Sequence, residues 1–197
     1  MNEVKPPRPS KRYGTKVMLG TVAVVGMIAA FEGGTNKDGS SVVYADKLAQ
    51  GLPTVCHGLT RHVTPTLIIV GEKWSAEKCF KEEQAVIIRV QDKLETCFGP
   101  PPVFTPPQSV FDAATSFAWN NGVDATCGSR SMKLWSVGNW NEGCRSMAYA
   151  TGTNRPVWSY VKTGKRLANG NPEYVFVKGL FKRRQAEYLY CVKDLTK

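Results

Sequence analysis

From Val17 to Phe31 the chain runs 15 residues without a charge, and Lys5, Arg8, Lys11, Arg12 and Lys16 precede it against the single acid Glu3. No other stretch narrows the possibilities as far. A basic flank before an apolar run is how exported chains begin, with the positive side held in the cytoplasm. At about 1.5 Å per residue, a helix of that length falls short of a hydrocarbon core about 30 Å thick. Gly20, Thr21, Ala23, Gly26, Ala29 and Ala30 dilute its apolar character. Three outcomes fit: a cleaved signal peptide ending near Ala29-Ala30, a stable anchor, or a weak anchor that enters the membrane and later leaves it. A buried soluble helix would leave the basic flank unexplained. The chain is therefore divided into a cytoplasmic tail (1–16), a weak membrane helix (17–31) and a folded domain (32–197).

Elsewhere there is no run of about 20 apolar residues, so no ordinary membrane span. With 42% apolar and 21% charged residues, the composition is that of a folded chain rather than a disordered one. Lys and Arg outnumber Asp and Glu by 26 to 16, a formal charge of +10. Such a surface suits a polyanion: nucleic acid, an anionic membrane or a cell-wall polymer. No nucleic-acid-binding motif accompanies the charge, which disfavours that partner. Six Cys are consistent with an oxidising compartment. His57 and His62, with no repeated Cys-x-x-Cys spacing nearby, do not make a zinc site, and neither metal nor cofactor is expected.

Short apolar runs at Ser41–Tyr44 and Thr54–Cys56 read as strands around a turn at Gly51. Val63 to Gly71 is an irregular connection. Ser75 can cap a long helix reaching about Cys97, since Phe80, Val86, Ile87, Val90 and Leu94 recur at helical spacing. Gly99-Pro-Pro-Pro102 ends it. Pro106-Pro107 start a second helix, Gln108 to Asn121, stopped by Gly122. Shorter helices follow near Ser131–Val137 and Asn141–Tyr149, then a loop from Thr151 to Pro172, then a last helix from about Gly179 to Val192. The layout is α+β: a small strand-bearing lobe, a long connecting helix and a helical lobe. Trp119, Trp135 and Trp140 fall at helical core positions, and Lys182, Arg183 and Arg184 on what is usually a solvated helix face.

Glu32 directly follows the apolar run, and Tyr44-Ala-Asp46, Gly51 and Thr54-Val-Cys-His-Gly58 follow it. Glycoside hydrolysis needs an acid that keeps its proton and a second carboxylate that positions water or attacks. Glu32 has apolar neighbours; Asp46 has a wetter setting.

The pattern Phe31-Glu32-Gly33, Tyr44-x-Asp46, Gly51, Thr54-Val-Cys56-His57-Gly58 and Thr60 resembles the start of the phage-type lysozymes, glycoside hydrolase family 24. Ser116-Phe-Ala-Trp-Asn120-x-Gly122, Ser131-Met-x-Leu-Trp135 with Gly138-Asn-Trp140, and Gly179-Leu-x-x-x-Arg184-x-x-Glu187 continue the likeness to about Val192. With the basic tail and weak apolar helix, the chain is similar to the signal-anchor-release endolysins of phages of Gram-negative hosts. The family usually places eight residues between its Glu and Asp and five between its Asp and Thr. Here 13 and seven intervene, which implies insertions within Gly33–Ser41 and Lys47–Gln50. Asp38 competes with Asp46 as second carboxylate; Asp46 is preferred because it keeps register with Gly51 and Thr54.

The resemblance implies a lysozyme-like fold and hydrolysis of the β-1,4 bond between N-acetylmuramic acid and N-acetylglucosamine. Glu32 would be the general acid, Asp46 would align or deprotonate water, and Thr54 would hold that water. Inversion is implied, which needs carboxyls roughly 6.5–9.5 Å apart. Tyr44, His57 and Trp158 are candidates for contact with sugar, although His57 also reads as a hydrogen-bonded hairpin residue. Six Cys allow 15 connectivities, but position in the two lobes favours Cys56 with Cys79, Cys144 with Cys191, and Cys97 with Cys127. The expected partners are peptidoglycan and, before release, the inner membrane; the chain is expected to act as a monomer in the periplasm. A lytic transglycosylase and a non-catalytic wall-binding protein are the rival readings.

Overall fold

The computed structural model of the protein describes residues 22–32, 34–47, 51–99 and 105–195. The basic tail, the start of the apolar run and most of the insertion placed within Lys47–Gln50 lie outside them.

The apolar run ends as helix α1 (Val22–Phe31), which buries Val24 and Ile28 against Ile87 and half-buried Trp119. Two small sheets follow. β1 (Ser41–Val42) pairs antiparallel with β5 (Lys73–Trp74), and β2 (Tyr44–Asp46), β3 (Leu52–Val55) and β4 (Leu59–Thr60) form a three-stranded meander. Gly51 closes the β2–β3 connection with its N–H on the Asp46 carbonyl, at φ +82°, a conformation glycine adopts without strain. The expected strand Ser41–Tyr44 is split into β1 and the start of β2, the expected strand Thr54–Cys56 overlaps β3, and the sequence suggests neither β4 nor β5, which are too short to carry periodicity.

Helix α2 (Ala76–Phe98) starts where expected: the Ser75 hydroxyl accepts from the Lys78 N–H at 3.1 Å. Its 23 residues serve both lobes. Cys79 and Val86 belong to the small-lobe core with Val43, Val55, Leu59 and Trp74, whereas Leu94 and Phe98 belong to the helical core. Helix α3 (Gln108–Asn121) lies in that second core, and its Gly122 cap donates to the Ala118 carbonyl. Three short helices, α4 (Val123–Cys127), α5 (Arg130–Trp135) and α6 (Trp140–Arg145), pack around Phe98, Phe111 and Trp135. Within this group the sequence suggests α5 and α6 but not α4.

One segment differs from expectation. In place of a loop from Thr151 to Pro172, the chain forms an antiparallel hairpin, β6 (Tyr160–Arg166) with β7 (Pro172–Phe176). Every strand residue of this hairpin except Glu173 is exposed. Without a buried face the segment lacks the alternation that marks a half-buried strand. Helix α7 (Lys178–Val192) completes the fold against α3 and α6.

The cysteines pair as Cys56–Cys79, Cys97–Cys127 and Cys144–Cys191, the lobe-by-lobe arrangement. Among the described residues, no helix is long and apolar enough to cross a membrane.

Candidate active site

Glu32 is carried on the last turn of α1, where its N–H donates to the Ile28 carbonyl at 3.0 Å. Its side chain is 24% exposed, open enough to meet a ligand and shielded on one side. Two contacts fix it. Arg183 Nη1 donates to Oε1. Oε2 faces the bare backbone of Gly58, where even a methyl group would come within 3.7 Å of it.

The loop after Glu32 is tied to the sheet by Ser41, which is fully buried. Its hydroxyl donates to the Gly34 carbonyl at 2.5 Å and accepts from the Cys56 N–H at 2.9 Å. Gly34 has φ +117°, and a Cβ there would stand 2.4 Å from the Cys56 carbonyl oxygen. The chain can leave Glu32 along this route only as glycine.

Strand register gathers the other candidates. Tyr44 lies opposite Thr54, Asp46 opposite Leu52, and Thr54 opposite Thr60. Residues facing each other across antiparallel strands, and residues two apart along one strand, share a face. Tyr44, Asp46, Thr54 and Thr60 therefore occupy one face of the meander. Burial, then the negative charges of Asp46 and Glu32, push the Tyr44 hydroxyl up from its ordinary value, so Glu32 lies within electrostatic reach of that face. One ring thus feels both carboxylates. Thr54 is buried, and its hydroxyl donates to the Leu52 carbonyl at 3.0 Å.

Asp38 is placed differently. It is exposed and accepts from the Ser40 hydroxyl at 2.7 Å and the Ser40 N–H at 2.9 Å. Those two bonds hold its carboxyl below the usual range. It caps its own turn instead of joining the face of β2.

His57 is built into the turn after β3. Its N–H and its Nδ1 both meet Glu83 Oε1 at 2.9 Å, and Trp119 Nε1 donates to its carbonyl at 3.1 Å. Thr35 Oγ1 lies 3.4 Å from Nε2. The bond to Glu83 pushes the imidazole up from its ordinary value against the opposing effect of burial. Trp158 sets its ring edge-on to Phe117 at 5.2 Å, with φ +53° and its face part exposed. It belongs to the helical lobe, where Phe117 also lies under the Arg184 guanidinium.

Two cavities lie near Gly58, and neither is lined by Glu32, Tyr44, Asp46 or Thr54. A cavity of about 120 Å³ is walled by Gly58, Trp119, Val63, Val86, Val90 and Val123. A neighbouring cavity of about 280 Å³ shares the four valines and adds His62, Arg89, Lys93 and Asp124.

The helix face expected to be solvated is largely not. Lys182 is exposed, but Arg183, Arg184 and Glu187 are buried. Glu187 Oε1 accepts from the Ser116 hydroxyl at 2.8 Å, from Arg183 Nε at 3.1 Å and from Arg184 Nη2 at 3.2 Å. Arg184 Nε stands 3.1 Å from Glu187 Oε2, close enough for an ion pair yet misaligned for a hydrogen bond. Arg184 Nη2 also donates to Asn120, and its guanidinium covers the Phe117 ring at 4.8 Å. Burial drags Arg184 down to about 10. The signal for this cluster is present in the sequence as spacing: Arg183 and Arg184 stand four and three residues before Glu187, on one helix face. Glu83 carries no comparable signal, since its partner His57 is 26 residues away.

A family model described as phage lysozyme matches residues 35–187. The match takes in Asp46, Thr54 and the Arg-Arg-x-x-Glu cluster and begins just after Glu32. No curated protein matches the chain. Among solved structures, the muramidase domain of SpmX from Asticaccaulis excentricus superposes with a TM-score of 0.64 at 20% identity, covering 88% of this chain and 97% of that one. The endolysin from Escherichia coli O157:H7 phage FAHEc1 gives 0.64 at 20% identity over 93% and 97%. The active form of the P1 phage endolysin Lyz gives 0.58 at 19% over 93% and 89%. At these identities the likeness speaks for the fold.

Proposed function

The chain belongs to the phage lysozyme family, and from that premise we propose that it is an endolysin, a glycosidase that hydrolyses peptidoglycan during host lysis. The bond cut is the β-1,4 linkage between N-acetylmuramic acid and N-acetylglucosamine, by a single displacement with inversion. Glu32 is the general acid. Arg183 engages Oε1, so Oε2, turned toward Gly58, is the oxygen that presents the proton to the leaving glycosidic oxygen. Asp46 aligns the attacking water and takes its proton, and the Thr54 hydroxyl holds that water. Tyr44, whose hydroxyl feels both carboxylates, is a wall of the sugar site. The observation that carries this reading is the register that sets Tyr44, Asp46 and Thr54 on one face, with Glu32 felt by the same tyrosine ring.

The enzyme works on the wall in the periplasm. Its weak N-terminal helix takes it first into the inner membrane, with residues 1–16 in the cytoplasm, and then releases it. It acts as a single chain.

The test is digestion of purified peptidoglycan followed by borohydride reduction and mass analysis of the products. Reducible N-acetylmuramic acid ends, absent with Glu32→Gln, support the proposal. Anhydro ends would instead make it a transglycosylase. Binding without any product would make it a non-catalytic wall protein.

A further inference from the structure

The β6–β7 hairpin plays no part in the chemistry above, yet it is the largest exposed feature of the helical lobe. Register assigns its side chains to two faces. Tyr160 lies opposite Phe176 and Lys162 opposite Tyr174, so these four share one face. Val161 lies opposite Val175 on the other. Tyr160, Tyr174 and Phe176 are 41%, 54% and 43% exposed, a large aromatic area for a two-stranded ribbon to leave in water.

The ring face is ordered by its own contacts. Tyr160 and Phe176 meet edge to face at 5.5 Å, and Lys162 Nζ stands 6.0 Å from the centre of the Tyr174 ring. It is also continuous with the body: Phe176 packs on Phe181 at 5.9 Å, and Phe181 on Tyr149 at 5.8 Å. Phe181 stands two residues before Arg183, on the helix that reaches Glu32. Charge selects the occupant. Lys162, Lys165 and Arg166 oppose the single carboxylate Glu173, which is itself engaged by Thr163. The outer half of the hairpin carries Lys165, Arg166, Asn169 and Asn171 around the turn, with Leu167 its one large apolar side chain. A ribbon that is apolar at its base and cationic toward its tip cannot bury that tip in hydrocarbon. It suits a strand with apolar sugar faces for the rings and carboxylates for the lysines.

We propose that the Tyr160–Lys162–Tyr174–Phe176 face is an accessory platform that binds the glycan strand of peptidoglycan through its sugar faces and stem carboxylates, away from the bond being cut. The platform holds the enzyme on an insoluble wall and adds nothing to the chemical step. This rests on the proposed function for the identity of the polymer.

The test uses the full chain carrying Glu32→Gln, sedimented with purified sacculi. Tyr160→Ser with Tyr174→Ser should weaken binding about tenfold, as loss of two exposed aromatic anchors does. Val161→Ser with Val175→Ser, on the opposite face, should leave it unchanged and shows that the hairpin itself survives substitution. With Glu32 present, the tyrosine variant should cleave soluble two- or three-disaccharide oligomers within twofold of the parent and lose rate only on sacculi. Unchanged sacculus binding, or equal loss from both faces, would overturn the platform. So would loss of binding to phosphatidylglycerol vesicles with sacculus binding intact. A parent that cleaves neither substrate would fail the proposed function, while the sedimentation result would still decide the platform.

Discussion

Arg183 faces two carboxylates, and they differ in burial. Glu187 is fully buried and holds Arg183 from below; Glu32 is open and meets it from above. Replacing Glu187 with Gln would leave two buried guanidinium groups with their shared counter-charge removed. Breaking a buried pair in this way costs about 3–5 kcal/mol, so Glu187→Gln should lower the urea midpoint sharply. The second carboxylate is decided by a pair of variants. Asp46→Asn should remove most lytic activity, whereas Asp38→Asn, which alters only an exposed turn, should leave it nearly intact; turbidity assays on outer-membrane-stripped cells read both. His57 supplies a pH signature. Its folded value is raised above the ordinary 6.5, so its stabilisation is fully present below about 6.5 and is lost as pH rises through the folded value. The melting temperature of the wild type should exceed that of His57→Asn most at pH 5.5, and the gap should narrow above neutrality. A gap that widens with pH would mean that Glu83 does not stabilise the protonated imidazole.

Among the elements, those legible in the sequence were the ones with a local cause. Helix α3 begins after Pro106-Pro107 and ends at Gly122, and helix α2 begins at the Ser75 cap, because proline, glycine and a capping hydroxyl act within a few residues. The cysteine pairs were legible because each joins elements of one lobe. What escaped the sequence had a distant cause or none. Burial of Arg183 and Arg184 depends on Ser116 and Asn120, more than 60 residues upstream. The β6–β7 hairpin has no buried face to impose a pattern. The grouping of Tyr44, Asp46 and Thr54 on the face of the proposed site is readable from local spacing, but Glu83 and the Ser41 tie act across 26 and 15 residues. The disulfides differ in what they secure. In the loop-entropy account, separations of 23 and 47 residues correspond to about 3 and about 4 kcal/mol, so the Cys144–Cys191 pair matters more for stability. Cys56, however, holds φ +54° between Thr54 and Gly58, and its carbonyl passes against Gly34. Replacing Cys56 and Cys79 with Ser should therefore cost activity out of proportion to stability. Replacing Cys144 and Cys191 should do the reverse, as thermal melts and sacculus digestion measured side by side would show.

For the whole molecule, the proposed membrane entry gives the apolar run two destinations that exclude each other. In the folded chain Val24 is fully buried and Ile28 nearly so, against Ile87 and Trp119, and this places Glu32 beside Arg183 and Gly58. Burying two aliphatic side chains stabilises that docking by about 3–5 kcal/mol. In a bilayer the same residues would be spent on lipid, and Glu32 would be held at the membrane surface, away from Asp46 and Thr54. Under the proposed membrane entry and release, docking and insertion compete for one helix. The balance can be tilted from one side only. Gly26 is exposed, and a Cβ added there meets nothing within 4 Å, so Gly26→Leu should strengthen insertion while leaving room for the docked form. Gly20→Leu, in the segment before α1, adds to the same effect. The double variant should delay lysis at equal expression and keep the protein in the membrane fraction longer, while the purified enzyme stays fully active on sacculi. Ile28→Asp should do the opposite on both counts: weaker insertion, and an enzyme that reaches the periplasm with Glu32 poorly seated. Unchanged timing in the glycine variant, with full-length protein soluble in the periplasm from the start, would remove the membrane from the mechanism. A product beginning near Phe31 would replace release with cleavage.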